Sequence, residues 1–195
     1  MSRPRAFDDQ AVRERVTDVF VAHGFTGTSL AMLTEASGLG KQSLYNAFGD
    51  KCSLYLQSLD CVADRMAETR EAMLAAPSGL QAVHLLFDGL LHDCMHPDPA
   101  VHTCIVSAGL MEGLDAEPIA AHLREKWHSS QGLLQTAVER GQRDGSIAQR
   151  RPAPQLAALL MTLMSGLRVT ARALDDPQLL APLTQLGLKF LEHPD

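Results

Sequence analysis

The chain has 195 residues, of which 46% are hydrophobic and 21% charged, and a formal net charge of −6. That length can bury a core without covalent staples, and that hydrophobic share excludes a disordered chain. Leu occurs 30 times and Ala 25 times, against 13 for Val and Ile together, so the expected fold is all-α.

A first helix is expected from Asp8 to His23, because Val12, Val16, Val19 and Phe20 repeat on one face and Gly24 stops the run. Thr28 or Ser29 then caps a short second helix to about Ala36. Gly38-Leu39-Gly40 is a tight turn, and Lys41 to Phe48 forms a third short helix. Asp50 caps a fourth helix running to about Ala76, where Pro77-Ser78-Gly79 breaks the chain. Further helices fit residues 80–95, 100–113 and 117–143, then Pro152 to Leu174, and last from Pro177 on. That makes about nine helices. The expected organisation is an N-terminal part at 1–51 and a larger helical body at 52–195.

The charge is uneven. Residues 1–55 hold 6 basic and 6 acidic side chains, and the remaining 140 hold 11 and 17. All the net negative charge lies after the first quarter, so a polyanion would meet the N-terminal part. Arg3, Pro4, Arg5, Asp8 and Asp9 precede any apolar run. No signal peptide is therefore expected. The longest uncharged apolar stretch, Pro152 to Leu167, is shorter than the roughly 18–20 residues of a membrane span. Four cysteines without a C-x-x-C pair read as reduced thiols. A cytoplasmic protein with no membrane partner is expected.

Two short helices joined by a Gly-containing turn form a helix-turn-helix. The second is narrow enough for a DNA major groove about 12 Å wide. Its outward positions, Lys41, Gln42, Ser43, Tyr45 and Asn46, carry donors, while Leu44 and Phe48 face the core. Lys51 follows, within reach of a backbone phosphate. Thr28 and Ser29 stand at a helix N-terminus, where phosphates bind readily.

These residues carry a resemblance. Gly24-Phe25, Thr28-Ser29, Ser37-Gly38-Leu39 and the run Leu44-Tyr45-Asn46-Ala47-Phe48-Gly49-Asp50-Lys51 resemble the DNA-binding domain of the TetR family of repressors. Gly40 departs from the family's usual Ser, and Ala47 from a common aromatic. The resemblance implies that Tyr45 and Lys51 hold phosphates, that Thr28 holds another, and that Lys41, Gln42, Ser43 and Asn46 lie nearest the base edges. It implies a palindromic double-stranded DNA operator, a homodimer, and release by a small-molecule effector, with no cofactor. Arg3 and Arg5 could add a basic arm.

The last two helices expose broad apolar faces, and two-fold packing against a second copy would cover them. The expected interface residues are Leu156, Leu160, Leu163, Leu167, Leu179, Leu183, Leu186 and Phe190. An effector chamber is expected from Met66, Met73, Phe87, Leu91, Cys104, Met111 and Trp127, which are large or adaptable. Cys104 also resembles a sensing cysteine of a TetR subgroup that often reads Gly-Cys-Leu. A thiol near a helix N-terminus has its thiolate favoured, so a thiol-reactive effector is one expectation. An alternative is a metal- or redox-sensing regulator using His92, Cys94, His96, His102 and Cys104, although no metal site is assigned. Another class is a helical adaptor that binds only protein, which leaves the donor face of residues 41–46 without a purpose. Enzyme motifs are absent: there is no G-x-S-x-G and no H-E-x-x-H, and Gly40-Lys41 fails half the fixed positions of a P-loop.

Overall fold

In a computed structural model of the chain, residues 7–96, 104–114, 117–173 and 176–192 are described. Among these the secondary structure is helical, with no strand. The helices form two compact units. One comprises residues 1–65 and 105–126, and the other residues 66–104 and 127–195. By packing, then, the N-terminal segment does not stand alone at 1–51: the fourth helix and residues 105–126 complete its core.

The first unit opens with α1 (Asp9–Gly27), kinked at Gly24, where φ is 68° and ψ −177°. The Asp8 carboxylate starts it by accepting from the amides of Gln10 at 2.9 Å and Ala11 at 3.3 Å. α2 (Leu30–Ser37) is capped by the Ser29 hydroxyl, which accepts from the Met32 amide at 3.2 Å. It ends at Gly38, in the left-handed region at φ 69°, a conformation that costs a side-chain-bearing residue about 1–2 kcal/mol. α3 (Lys41–Phe48) ends at Gly49 with φ 86°. α4 (Lys51–Arg65) starts on the Asp50 carboxylate, which accepts from the Ser53 amide at 2.8 Å and its hydroxyl at 3.0 Å. Those bonds hold the Asp50 carboxyl below the usual carboxylate range. α7 (Ile105–Met111) and the start of α8 (Ile119–Asp144) close the unit. Val12, Val16, Phe20, Leu33, Leu44, Phe48, Leu54, Tyr55, Ile105 and Leu123 form its buried core.

The expected fourth helix is interrupted. Met66 sits at φ −85°, ψ 2°, and the chain continues as α5 (Ala67–Ala75). About nine expected helices therefore become ten segments among the described residues. The second unit holds α5, α6 (Gly79–Cys94), the rest of α8, α9 (Ala153–Ala173) and α10 (Leu180–Glu192). Its core includes Met73, Phe87, Leu90, Leu134, Val138, Ile147, Leu160 and Leu188. Arg140 of α8 anchors the end of α5, donating to the carbonyls of Leu74 at 2.9 Å and Ser78 at 2.6 Å. Asp144 accepts from the Gly79 amide at 2.9 Å and starts α6. α6 and α8 cross with backbones in contact, because a Cβ on Gly79 would collide with the backbone of Gly141 and Ala137.

At 21 residues, α9 is long and apolar enough to cross a membrane by length and composition. One side of it packs into the core: Leu156, Ala157, Leu160, Met161, Leu167 and Ala171 are buried within the second unit. The shorter run expected from sequence stopped at Leu167 because Arg168 follows it.

Candidate nucleic-acid interface

The site is built on α3. Its periodicity turns Leu44 and Phe48 inward and leaves Lys41, Gln42, Ser43 and Asn46 exposed. Tyr45 is half-buried at the edge, with the Lys41 ammonium 6.0 Å from its ring centroid. Gln42 donates to the Asn46 side-chain oxygen at 2.9 Å. Their remaining amide groups thus present themselves as a pair. Lys, Gln, Ser and Asn together can meet guanine and adenine acceptors and donors in a major groove.

The supports of α3 come from its neighbours. α1 braces α2 through Arg15, which donates to the carbonyls of Ala36 at 2.8 Å and Ser37 at 3.1 Å. The side chain of Gln57, on α4, donates to the Phe48 carbonyl at 2.8 Å and so finishes the C-terminal end of α3. Neither residue stands out in the sequence. Both bonds span segments whose proximity only the fold creates, and a lone Arg or Gln on a helix reads as a solvated face.

Lys51 sits at the first position of α4, and its ammonium lies 4.5 Å from the Phe25 ring centroid. That ring is stacked on Phe20 and edge-on to Tyr55. An aromatic face of this kind holds a cation while leaving its outer side open. Ser29 is exposed at the start of α2. Thr28 differs from expectation. Its side chain is 2% exposed, and its hydroxyl donates to the Gly24 carbonyl at 2.6 Å. The hydroxyl closes the turn at the end of α1, so the exposed group at this helix start is Ser29. Arg3 and Arg5 lie outside the described residues.

The matches with known proteins agree with this arrangement. Residues 17–57 match the family model "Bacterial regulatory proteins, tetR family", and residues 79–186 match the "Tetracyclin repressor-like, C-terminal domain". The chain belongs to the TetR family. It is thus a regulator rather than an enzyme. Among its relatives is the HTH-type transcriptional repressor ComR of Escherichia coli (strain K12). The two are 27% identical over 172 residues, 87% of this chain and 82% of ComR. The HTH-type transcriptional repressor AcnR of Corynebacterium glutamicum is 28% identical over 161 residues, 80% of this chain and 78% of AcnR. Among solved structures, a cysteine-substituted form of the TetR family regulator CifR, complexed with 26-bp double-strand operator DNA, is 29% identical with a TM-score of 0.84. That match covers 97% of this chain and 100% of CifR.

The residues expected in an effector chamber scatter. Met73 and Phe87 are buried in the core of the second unit, and Leu91 and Trp127 pack on its edge. Met66 is exposed at the α4–α5 break. Met111 is 83% exposed and belongs to the first unit. Large adaptable side chains on amphipathic helices fill the core itself here. Two surface clefts of the second unit, of about 660 and 380 Å³, are lined by other residues, Gln142, Arg143 and Arg150 in one and Gln81, His84 and Asp88 in the other.

The cysteines separate by environment. All four are free. Cys94 is 1% exposed, and burial pushes its thiol pKa up, against the pull of the Arg168 charge. Cys104 is half-buried immediately before α7. His92 and His96 are exposed while Cys94 faces the core. Among the described residues no group of three or more His, Cys, Asp or Glu side chains could hold a metal ion. His102 lies outside the described residues.

The interface residues expected on α9 and α10 divide too. Leu156, Leu160 and Leu167 are buried in the unit's own core, and Leu163 and Phe190 pack partly against it. Leu179, Leu183 and Leu186 are exposed, as are Leu159 and Val169. An apolar helix has two apolar sides here. The sequence pattern marks both without saying which one the core takes.

Proposed function

We propose that this TetR-family chain is a ligand-responsive repressor that binds a palindromic double-stranded operator as a homodimer. The observation that carries this reading is α3: a short helix braced by α2, with an uninterrupted face of Lys41, Gln42, Ser43 and Asn46 turned to solvent. In this reading those four meet base edges, while Tyr45, Lys51 and the Ser29 end of α2 meet phosphates and set the register. Residues 1–51 do the reading and residues 52–195 bind the effector and the second copy. The protein works where the operator is, in the cytoplasm. The operator-bound CifR neighbour and the repressors ComR and AcnR support this reading.

The dimer surface in this reading is the outer side of α9 and α10, with Leu159, Val169, Leu179, Leu183 and Leu186 at its centre. The effector is a small molecule that favours one spacing of the two reading helices over another. A thiol-reactive effector at Cys104 is one form of the same reading, favoured by that residue's partial exposure where Cys94 is buried. The test is binding of the purified protein to a duplex from upstream of its own gene. Wild type should shift that duplex with a bound mass of two copies, and Gln42→Ala with Asn46→Ala should lose the preference over unrelated DNA. A duplex bound no better than unrelated sequence would sink the proposal.

A further inference from the structure

The turn that ends α1 is held from far along the chain. Gly24 adopts φ 68°, open to glycine at little cost. A Cβ there would collide with the carboxylate of Glu112, just beyond the last residue of α7. That carboxylate accepts two hydrogen bonds from the backbone after the kink: from the Phe25 amide at 3.0 Å on one oxygen and from the Thr26 amide at 2.7 Å on the other. Bonds from amides to an ionised carboxylate are shorter and stronger than neutral ones, and a forked pair also fixes orientation. The Thr28 hydroxyl closes the same turn on the Gly24 carbonyl at 2.6 Å.

We propose that Glu112 is a positioning residue for DNA binding: by gripping the turn at residues 24–26 it sets the Phe25 ring beneath the Lys51 ammonium and sets the start of α2. The inference rests on the reading that Lys51 and the α2 end meet phosphates. Each link is a contact in the structure. Glu112 fixes the Phe25 backbone, the Phe25 ring packs edge-on against Tyr55 at 5.1 Å and stacks with Phe20 at 6.5 Å, and the Lys51 ammonium rests 4.5 Å from its centroid. The Thr26 amide is three residues ahead of Ser29, the cap of α2. Placement matters more here than in a strongly basic domain, because residues 1–55 have no net charge and few cations to hold DNA.

Charge and geometry make opposite predictions at this residue. A carboxylate acting only through its charge repels phosphates, and its removal tightens binding. A carboxylate acting through the turn helps, and its removal weakens binding. Duplex affinity of the full chain is measured at several salt concentrations for wild type, Glu112→Ala, Glu112→Gln, Lys51→Ala and the Glu112→Ala/Lys51→Ala pair. Glu112→Ala should weaken binding about tenfold, and Glu112→Gln, which keeps one acceptor oxygen, should fall between. Once Lys51 is gone, Glu112→Ala should cost less than it does in wild type, the remainder acting through the start of α2. Amide hydrogen exchange gives a readout independent of DNA: Phe25 and Thr26 should lose protection in Glu112→Ala while Val16 and Phe20 keep theirs. Equal or tighter binding by Glu112→Ala, full additivity with Lys51→Ala, or unchanged protection at Phe25 and Thr26 would each overturn the proposal. Failure of wild type itself to bind the duplex would instead overturn the reading of Lys51 on which it rests.

Discussion

In the proposed function, Lys51 is the side chain on which a neutral segment depends most for its grip on phosphate. Its ammonium is preset by the Phe25 ring rather than free to wander, so less side-chain entropy is lost when a phosphate arrives. Lys51→Ala should weaken binding to all duplexes alike and lower the slope of log affinity against log salt by about one, read from a salt titration. The thiols make a second residue-scale prediction. Cys94 is buried with a raised pKa, so it stays a neutral thiol at pH 7, whereas Cys104 is partly exposed. Brief alkylation of the native protein followed by peptide mass analysis should label Cys104 and spare Cys94. A Cys104 that resists labelling would remove the thiol-reactive form of the effector reading.

Between elements, Asp144 shows how a helix end can be tied by charge. The Ser146 hydroxyl, and then the Gly79 and Ser146 amides, which donate to its carboxylate at 2.9 Å each, hold its pKa below the usual carboxylate range. Asp50 is held low in the same direction at the start of α4. A depressed carboxylate pKa stabilises the fold at pH above the unfolded value and loses that effect as pH falls through the folded value. Asp144→Asn should therefore lower the urea midpoint at pH 7, and the gap to wild type should shrink as pH drops below about 4.

The elements also show what a sequence displays and what it hides. The bounds of α3, Lys41 to Phe48, are legible because glycines stand on both sides and Leu44 and Phe48 repeat at four. The break at Met66 is not, because the run Ala63-Asp64-Arg65-Met66-Ala67-Glu68 contains neither Gly nor Pro. The donor face of residues 41–46 follows from local periodicity. The burial of Thr28 is not legible in sequence, because a hydroxyl at a helix start serves equally as a phosphate ligand or as a lock on the preceding turn. Arg15, Gln57 and Glu112 were invisible because their partners are backbone atoms brought close only by tertiary packing.

At the scale of the whole molecule, the proposed dimer face is a set of exposed apolar side chains. Leu159, Val169, Leu179, Leu183 and Leu186 are all more than 40% exposed on α9, α10 and the turn between them, and burial against a second copy would take them out of water. Light scattering at micromolar concentration should give twice the 21.1 kDa chain mass. Leu186→Glu with Leu183→Glu should shift it to one copy and cost operator affinity, because two reading helices must meet successive grooves about 34–36 Å apart or a multiple. The crossing at Gly79 and Gly141 has a different kind of consequence. At Gly141 an added methyl would meet the buried, β-branched Ile147 side chain close to its root; at Gly79 it would meet main-chain atoms, which cannot rotate aside. At position 79 even the smallest replacement therefore pushes two helices apart, and descendants of this sequence that keep the same crossing must leave that residue bare.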